Sequence, residues 1–574
     1  MHSVLVLATI TPLATNGAPP LAGPRAGDPV QVRVIGTCRT GPFDVSACEI
    51  AAWCPGSSRL LVTSAAEGLV AVSLGKDADL SPARPVPMSG ISSVAVHGET
   101  IAVCRGGSDA ASVGEVLLLD PDLKVLSTIP VGHGPDMLTF TPDGRALLVA
   151  NEAEPSADGT VDHPGSISII DLSGPATQPI VRHVTFERFE AKANELRARG
   201  LHAPMPGRST CQQLEPEYIA VSPDGRWAFV ALQEANAIAI IDVANARCIA
   251  IEPLGLKDFG APGVGLDPSD KDGGPAIACW PVHGLYQPDS LACFTHGDEL
   301  YVASANEGEP REHAFWSEVR RLSELTHRDG GEERALDPNA FPPDAPLDAE
   351  PAVAMRTQAR LRDPKGAGRL QVSAAMGDTD GDGDYDRLVA FGGRSASLWR
   401  VRQGEGGVPA GLDLVWDSGS AIERTVRDRM PAAFNADHDR ANSADARSDV
   451  RGPEPEGLAV GDVAGRRILI VGLERCGGVI AWDISDPRAP SLATYANRRD
   501  PAAGTINASK GGQAKTATAG VAAQDPTDAA GDLGPEGILL IPASQSLTGA
   551  PLLVVCNEVS GTLTVLELGV PHAH

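Results

Sequence analysis

One short pattern occurs six times along this chain: a carboxylate in a turn, a β-strand pattern, and a second carboxylate, often directly after asparagine. The two acids of a pair are about 16–22 residues apart, which is the length of two short strands and the turn between them. Strand-rich units repeated in this way predict an all-β chain folded as a β-propeller, with equivalent acids gathered near one axis. The pairs are Glu49 with Glu67, Asp136 with Glu152, Glu217 with Glu234, Asp289 with Glu307, Glu456 with Glu474, and Glu536 with Glu558.

The number of blades follows from the number of strand units. Two further units, which begin at Ile91 and Leu370, lack the complete acid pair and bring the total to eight. The unit that begins at Asp289 is interrupted after two strands by a long insertion, and a neighbouring unit could complete it. We therefore favour seven blades and keep eight as the alternative. Closure of the ring is expected to pair strands from the two chain ends, since an unpaired edge invites aggregation.

Several segments stand apart from the repeats. Residues 187–199 have a helical composition and end before Gly200, and a second helix is expected around Phe315–Leu325. Residues 502–531 are rich in glycine, alanine and threonine, which is typical of a loop. The predicted organisation is a leader or signal peptide at 1–28, a single propeller domain at 29–570, an insertion within it at 309–368, and a mobile loop at 502–531.

The charge of the chain limits its partners. A formal net charge of −27 argues against binding to nucleic acid or to an anionic membrane, because both would be repelled. No apolar run approaches the roughly 20 residues that a membrane-spanning helix needs. Val4–Ile10 is a short apolar stretch without a preceding lysine or arginine, so it fits either a signal peptide or a plain leader.

The ten cysteines include no C-x-x-C motif, so a zinc ribbon or a thioredoxin-type site is not indicated. Cys48 and Cys54 flank a predicted strand, and Cys279 and Cys293 flank a turn, so each pair could form a disulfide. Small buried thiols are the alternative interpretation for both pairs.

An aspartate-rich loop at residues 378–386, with the sequence DTDGDGDYD, carries the clearest chemical signal. Carboxylates at alternate positions can converge on one cation, and glycine allows the sharp turn between them, as in calcium loops. The residue at the twelfth position is Val389, so the glutamate of an EF-hand is missing, and a strand is expected from Leu388 to Phe391. The loop predicts a structural Ca²⁺ site of the hairpin type, and a solvated acidic turn is the alternative. The predicted ligands are Asp378, Asp380, Asp382, Asp384 and Asp386.

The paired acids form the second candidate site. Carboxylates crowded around an axis repel one another unless they are protonated or bridged by a cation, which could be a second divalent metal. The alternative is that each acid only caps backbone N–H groups of its own turn. The candidate axial residues are Glu49, Asp136, Glu217, Glu234, Asp289, Glu307, Glu456, Glu474, Glu536 and Glu558. Lys257, Arg311 and Arg475 could hold an anionic ligand there, or simply pair with the acids.

Several motifs resemble the choice-of-anchor I family. They occur in family order over nearly the whole chain, and as a set they are highly specific. They are LEPEYIAVSPDG at 214–225, WPVHGLYQPD at 280–289, GDTDGDGDY at 377–385 with FGGRS at 391–395, GPEPEG at 452–457, GLER at 472–475, GDLGPEG at 531–537 and NEVSG at 557–561.

The resemblance implies a β-propeller that is secreted, periplasmic or attached to the cell surface. It leaves the function open between two classes. The first is a calcium-binding module that recognises an unidentified ligand or surface partner. The second is a metal-dependent phosphoesterase, because some relatives carry alkaline-phosphatase or phytase-like labels. Whether the chain is an enzyme is therefore not decided by its sequence.

Overall fold

The computed structural model describes residues 21–570, except 24, 26–27, 76–78, 175–178, 326–335, 344–354 and 504–528. The leader predicted at 1–28 and the mobile loop predicted at 502–531 lie largely outside these residues. No helix among the described residues is long and apolar enough to cross a membrane. Most of the regular secondary structure of the described residues is β-strand, and it forms a β-propeller, as the repeated units predicted.

The described residues contain seven four-stranded antiparallel sheets, which we number I to VII from the first strand that each contributes to the centre. Sheet I consists of Ala51–Cys54, Arg59–Ser64, Gly68–Leu74 and Leu80–Pro82. Sheet II consists of Ile91–His97, Thr100–Arg105, Val113–Leu119 and Val125–His133. Sheet III consists of Pro135–Phe140, Ala146–Asn151, Ser166–Asp171 and Ile180–Val184. Sheet IV consists of Pro216–Val221, Trp227–Leu232, Ala237–Asp242 and Arg247–Pro253.

The last three sheets show how the chain is interrupted and how the ring closes. Sheet V consists of Leu291–His296, Glu299–Asn306, Ser395–Gln403 and Pro409–Asp417. Sheet VI consists of Pro455–Val463, Arg466–Leu473, Val479–Asp483 and Ser491–Ala496. Sheet VII consists of Pro535–Ile541, Leu552–Asn557, Thr562–Gly569 and, as its outermost strand, the N-terminal strand Gln31–Arg39.

The seven sheets are arranged in a closed ring. The first strand of each sheet contacts the first strands of the sheets before and after it, and the first strand of sheet VII contacts that of sheet I. Each of the seven neighbouring pairs of sheets encloses its own cluster of buried apolar side chains. The core is therefore divided among the spaces between sheets. This explains why the second and third strands, such as Trp227–Leu232 and Ala237–Asp242, are apolar on both faces.

Specific turn residues fix the conformation of two hairpins. In the T-P-D-G and S-P-D-G turns, Gly144 and Gly225 have φ of +69° and +72°, values that glycine adopts without strain. Their N–H groups donate to the carbonyls of Thr141 and Ser222, each over 2.8 Å. Each turn joins the two innermost strands of its sheet, so the first strand is held beside the axis.

The interrupted unit is completed by a later part of the chain. Sheet V takes its two inner strands from 291–306 and its two outer strands from 395–417. The later part of the unit that begins at Leu370 thus completes the unit that begins at Asp289, while its first strand, Gln371–Ser373, belongs to another sheet. Closure also follows the prediction, because Gln31–Arg39 pairs antiparallel with Thr562–Gly569.

Three strands between the two halves of sheet V and two strands from the segment that precedes it form a separate five-stranded sheet. Its strands are Leu256–Asp258, His283–Leu285, Val389–Ala390, Gln371–Ser373 and Val319–Arg321, and a small hairpin pairs Glu312–His313 with Trp316–Ser317. The prediction of a helix around Phe315–Leu325 is wrong. Val319–Arg321 instead pairs with Gln371–Ser373, and only a 3₁₀ turn at Leu322–Glu324 follows. A distant strand partner here outweighs the local helical pattern.

Helices are few among the described residues. The predicted helix at 187–199 is present as a 3₁₀ segment, Glu187–Lys192, followed by the α-helix Ala193–Ala198, and Gly200 ends it at a φ of +104°. The other α-helices are Gln358–Arg362 and Ala421–Arg429. All ten cysteines are free thiols, eight of them buried, so the pairs Cys48–Cys54 and Cys279–Cys293 are not disulfides in this structure.

Candidate functional site

The first acid of each pair lies at the start of an innermost strand. Four of these strands begin with a proline followed directly by the acid, at 135–136, 216–217, 455–456 and 535–536, and the pairing register shifts at that point in each. Proline suits the first position of a strand because it has no N–H to offer the ladder. The shift is a β-bulge, which turns the side chain of the following residue out of the sheet face. A repeated local irregularity thus directs these carboxylates toward the axis.

A central cavity of about 600 Å³ receives these side chains. It is also lined by Glu152 and Gln233, which follow second strands, and its walls continue along the inner strands with small and apolar side chains. Glu49 is close enough to Glu558 and Asp136 to feel their charges. The structure therefore brings the predicted ring of acids together. The first-strand acids that line the cavity are Asp136, Glu217, Asp289, Glu456 and Glu536.

Asparagine before the second acid has a structural role. Asn306 is fully buried, and its amide donates to the hydroxyls of Ser395 and Ser397 over 3.0 and 2.7 Å, while its Oδ1 accepts from Ser304 over 2.7 Å. Asn151 makes an equivalent set of bonds in sheet III. Both amides tie the end of the second strand to the third strand. The glutamate that follows then leaves the sheet from a fixed point beside the axis.

One carboxylate group consists of Glu152, Glu217 and Glu234, between sheets III and IV. One oxygen of each can be chosen so that the three lie within 4.8 Å of one another. The Oε2 atoms of Glu217 and Glu234 are buried and have no hydrogen-bond partner. Among the described residues, no lysine or arginine forms a salt bridge with any of the three. We call this group the carboxylate triad.

Burial and mutual repulsion raise the pKa values of the triad. Burial is the main cause for all three. The pKa of Glu234 rises to about 8, and those of Glu152 and Glu217 lie well above the ordinary range because the neighbouring carboxylates add repulsion. Without a cation, these groups therefore hold protons at neutral pH.

The other acids of the ring behave in the same way. Burial, followed by neighbouring acids, raises the pKa of Glu49 to about 8 and that of Asp289 to about 7. Burial raises the pKa of Asp136 to about 6. The pKa values of Glu456 and Glu536 are raised well above the usual range for the same reasons, and the Oε2 atom of each is buried without a partner.

A second carboxylate group, between sheets V and VI, is compensated by guanidinium groups. Glu307, Glu454 and Glu474 also bring oxygens within 4.8 Å of one another. Arg451 lies 2.9 Å from Glu454, and Arg475 lies 3.1 Å from both Glu454 and Glu474. Burial alone would raise the pKa of Glu454, but these arginines and a third lower it to about 2. Here the charges are paired, whereas those of the triad are not.

A histidine lies beside this second group of acids. Nδ1 of His438 lies 2.7 Å from Oε1 of Glu474 and 3.7 Å from Oε1 of Glu558. Burial lowers its pKa, but the two carboxylates outweigh burial and raise the pKa above its ordinary value. Arg475 Nη1 faces Nε2 of the same ring. His438 is thus held in a fixed orientation between acids and a guanidinium group.

The three predicted anion-binding cations are all engaged with acids of the protein. Lys257 pairs with Asp417 over 2.9 Å and donates to two backbone carbonyls, and its described contacts include none of the axial acids. Arg311 is buried, donates to Glu215 and lies close enough to Glu234 to affect its charge. Arg475 is the one that reaches the acids of the ring directly.

The aspartate-rich loop folds as a compact turn before the strand Val389–Ala390. Asp378, Asp380 and Asp386 bring carboxylate oxygens within 4.8 Å of one another, and Asp382 and Asp384 are not part of that group. Asp378 accepts from the N–H groups of Gly381 and Gly383 over 2.7 and 3.1 Å. The five predicted calcium ligands are therefore divided into three that converge and two that do not.

Sequence reasoning missed several residues of the central site. Glu152 was noticed as part of a pair but was not among the candidate ligands. Glu454 is the first glutamate of the G-P-E-P-E-G motif, and only the second one, Glu456, fits the regular spacing of the acid pairs. His438, Arg447 and Arg451 lie in the segment between sheets V and VI, outside the repeats, so no periodic signal marks them.

Comparison with known proteins places the chain among related sequences. The choice-of-anchor I domain model matches residues 49–487. The mesenchyme-specific cell surface glycoprotein of Strongylocentrotus purpuratus is 29% identical over 350 residues, which are 57% of this chain and 43% of that protein. Gigasin-3a of Magallana gigas is 30% identical over 205 residues, which are 35% of this chain and 64% of that protein. The chain thus spans less than two thirds of the length of either relative.

Solved structures were compared in the same way. The Myceliophteria thermophila Cps50 (Swd1) β-propeller domain aligns over 93% of this chain and 99% of its own, with 10% identity and a TM-score of 0.41.

Proposed function

The chain belongs to the choice-of-anchor I family, and from this membership and the central site we propose that it is an extracellular or cell-surface β-propeller module that binds divalent cations. A cation in the central cavity and Ca²⁺ in the aspartate loop are the two parts of this proposal. The observation that carries it is the carboxylate triad, which is half-buried, forms no salt bridge with a described lysine or arginine, and has two buried oxygens without a hydrogen-bond partner.

Electrostatics make a cation the natural partner of the triad. Two ionised carboxylates 4.8 Å apart repel by about 3.5 kcal/mol at an effective dielectric constant of about 20. Three ionised groups give three such pairs, about 10 kcal/mol in all, which is comparable with the whole stability of a typical domain. The triad must therefore be protonated or bridged. A divalent cation removes the repulsion and also supplies partners for the two orphan oxygens.

The donor set favours a hard cation. All three ligands are carboxylate oxygens, which suit Ca²⁺, Mg²⁺ and Mn²⁺ better than softer metals. Three protein ligands leave positions for water or for an oxygen of a ligand in the cavity. The aspartate loop offers a second oxygen-only set on a turn outside the ring of sheets.

Titration of the cation-free protein with Ca²⁺ and Mn²⁺ in a calorimeter tests the proposal. We expect two sites for wild type, one for Glu234→Gln and one for Asp380→Ala. Glu99→Gln is the matched control, because Glu99 is exposed on the hairpin turn that follows the first strand of sheet II. Retention of both sites by Glu234→Gln would exclude the triad, and failure of the wild type to bind any cation would end the proposal.

The similarity to a cell surface glycoprotein supports a location outside the cell. That protein is much longer than the matched part, so its location bears on this chain only as a proposal. Protease treatment of intact producing cells, followed by detection of the chain, tests it. Digestion by external protease, or recovery from the medium, is expected, whereas complete protection until lysis would contradict a surface or secreted location.

A second function is favoured by the guanidinium groups beside the acids. Arg475 and Arg451 pair with acids of the ring and could steady phosphoryl oxygens while a bound cation activates water. A metal-dependent phosphoesterase is therefore the alternative. Hydrolysis of p-nitrophenyl phosphate with Ca²⁺, Mn²⁺ or iron would support it, particularly if Glu456→Gln abolishes the reaction and Glu99→Gln does not. The absence of turnover with all three metals would reject it.

A further inference from the structure

The central cavity is larger than a bound cation needs. Its volume of about 600 Å³ falls within the range of pockets that hold small organic molecules, which is roughly 300–1,000 Å³. A divalent ion at the carboxylate triad would occupy only the part between sheets III and IV. The rest of the cavity has room for an organic ligand.

The cavity runs along the first strand of sheet VII. It is lined continuously from Glu536, the second residue of that strand, to Pro542, which directly follows its last residue. Seven residues of extended chain span about 20 Å. Pro542 and Gln545 line the cavity and are themselves exposed. The cavity therefore opens to solvent at the end of the strand that lies away from the acids.

Two glycines bring neighbouring acids together at the other end. Gly457 follows Glu456, and a Cβ atom at Gly457 would overlap the carbonyl oxygen of Glu536. Gly537 follows Glu536, and its Cβ atom would overlap the carbonyl oxygen of Glu49, which accepts from the Gly537 N–H over 3.1 Å. Only glycine permits the backbones to approach this closely. The first acids of sheets VI and VII are therefore held side by side.

The protein itself supplies no partner for these two acids. Among the described residues, no lysine or arginine forms a salt bridge with Glu456 or Glu536, and the Oε2 atom of each is buried without a hydrogen-bond partner. The described lining of the cavity also includes no lysine, arginine or histidine. The partner that is missing is thus a positively charged hydrogen-bond donor.

The spacing of the acids favours an ammonium group over a metal ion. Neither Glu456 nor Glu536 belongs to a described group of three ligands whose atoms lie within 4.8 Å of one another. An ammonium nitrogen lies about 2.8 Å from each carboxylate oxygen that it contacts, so it can join oxygens up to about 5.6 Å apart. It also carries three N–H donors, which is enough for both orphan oxygens.

The wall between the acids and the opening carries aliphatic side chains. Met137, Ile538 and Leu540 line the cavity from first strands and are only half-buried. Ala51 and Val96 extend this apolar lining over sheets I and II. Contact with such side chains removes apolar surface from water, so this part of the cavity favours a hydrocarbon chain.

We propose that the central cavity binds a primary aliphatic ammonium ion. Its nitrogen donates to Glu456 and Glu536, and its hydrocarbon chain lies along the first strand of sheet VII toward Pro542. This inference goes beyond the proposed function, because it concerns acids outside the carboxylate triad and requires no metal. A neutral alcohol of the same length lacks the charge that buried carboxylates require, and a fatty acid would be repelled.

Calorimetric titration of the full chain with n-hexylammonium, in the presence of EDTA, tests the proposal. We expect 1-hexanol to bind at least about tenfold more weakly, because a charged donor forms the stronger hydrogen bond, and hexanoate not to bind detectably. From butylammonium to hexylammonium, each methylene group should strengthen binding about threefold to fourfold. Equal binding of hexylammonium and 1-hexanol, or no binding of hexylammonium at millimolar concentration, would overturn the proposal.

Variants locate the bound nitrogen. Glu536→Gln and Glu456→Gln should each weaken hexylammonium binding at least about tenfold. Glu99→Gln, on an exposed turn, and Glu234→Gln, in the carboxylate triad, should leave it unchanged. Wild-type affinity in both Glu536→Gln and Glu456→Gln would contradict the assignment, as would loss of binding in Glu234→Gln alone. Because no metal is present in this titration, a failure of the chain to bind Mn²⁺ would not alter its outcome.

Discussion

Replacing Glu234 by glutamine is the perturbation that distinguishes a buried cation site from a set of capping acids. Glutamine keeps the shape of the side chain and its oxygen but removes one of the three charges of the carboxylate triad. Each neighbouring carboxylate contributes about 3.5 kcal/mol of repulsion when both groups are ionised, so Glu152 and Glu217 together set an upper limit of about 7 kcal/mol. Partial protonation reduces this at any practical pH.

We therefore expect the cation-free Glu234→Gln protein to be more stable than wild type at pH 8.5, by roughly 2–4 kcal/mol. With cation present the order should reverse, because wild type gains binding energy that the variant lacks. Loss of one ligand is expected to weaken cation binding at the triad more than tenfold, which corresponds to more than about 1.4 kcal/mol. Chemical denaturation with and without Mn²⁺, alongside calorimetric titration, measures both effects, and Glu99→Gln should match wild type throughout.

The opposite pattern would refute this reasoning. If the acids serve mainly to cap backbone N–H groups, Glu234→Gln should destabilise the cation-free protein, because an amide is a poorer acceptor than a carboxylate. Mn²⁺ would then raise the stability of variant and wild type equally.

Three further predictions follow from the geometry. Because burial raises the folded-state pKa values of Asp136, Asp289 and Glu49 to about 6, 7 and 8, the contribution of these three groups to the stability of the cation-free protein should be greatest below about pH 4 and should fall as the pH rises to about 8. Saturating Mn²⁺ should reduce this fall in pH-dependent melting experiments. Asp380→Ala should abolish the part of the Ca²⁺-induced rise in melting temperature that comes from the aspartate loop, and an unchanged rise would exclude that loop. Asn306→Ala should destabilise the fold by about 2 kcal/mol in chemical denaturation, because it removes two buried hydrogen bonds to serine hydroxyls and leaves the Ser304 hydroxyl without its acceptor. A change below about 0.5 kcal/mol would contradict the role assigned to this amide.

The architecture could be predicted from the sequence because it is encoded locally. The paired acids recur in six units with a nearly constant spacing, so the strand units could be recognised without knowledge of distant contacts. The convergence of the acids follows from the same repetition. Once the units surround an axis, residues at equivalent positions must lie near one another.

What could not be predicted depends on contacts distant in sequence. The segment around Val319 has a helical pattern but becomes a strand because Gln371–Ser373 pairs with it. Cys48 and Cys54 flank one strand, but Cys48 packs in the apolar cluster between sheets VII and I with Cys38 and Cys556, which are far from it in sequence. The arginines that neutralise Glu454 come from a segment between sheets and obey no period. For this reason the difference between a compensated and an uncompensated group of acids was not visible in the sequence.

The arrangement of the aspartate loop could be predicted only in part. Its composition identified the acids, but the turn geometry selects which of them converge. The glycine N–H groups bind the oxygens of Asp378, and this leaves Asp380 and Asp386 beside it and the other two aspartates outside the group.

The most direct measurement is a crystal structure of the protein soaked in Mn²⁺, with diffraction recorded where manganese scatters anomalously. The account predicts an anomalous peak within coordination distance of oxygens from Glu152, Glu217 and Glu234. A map with no peak at these residues, in crystals where Mn²⁺ is seen elsewhere, would contradict the central claim that the propeller gathers its acids to hold a cation.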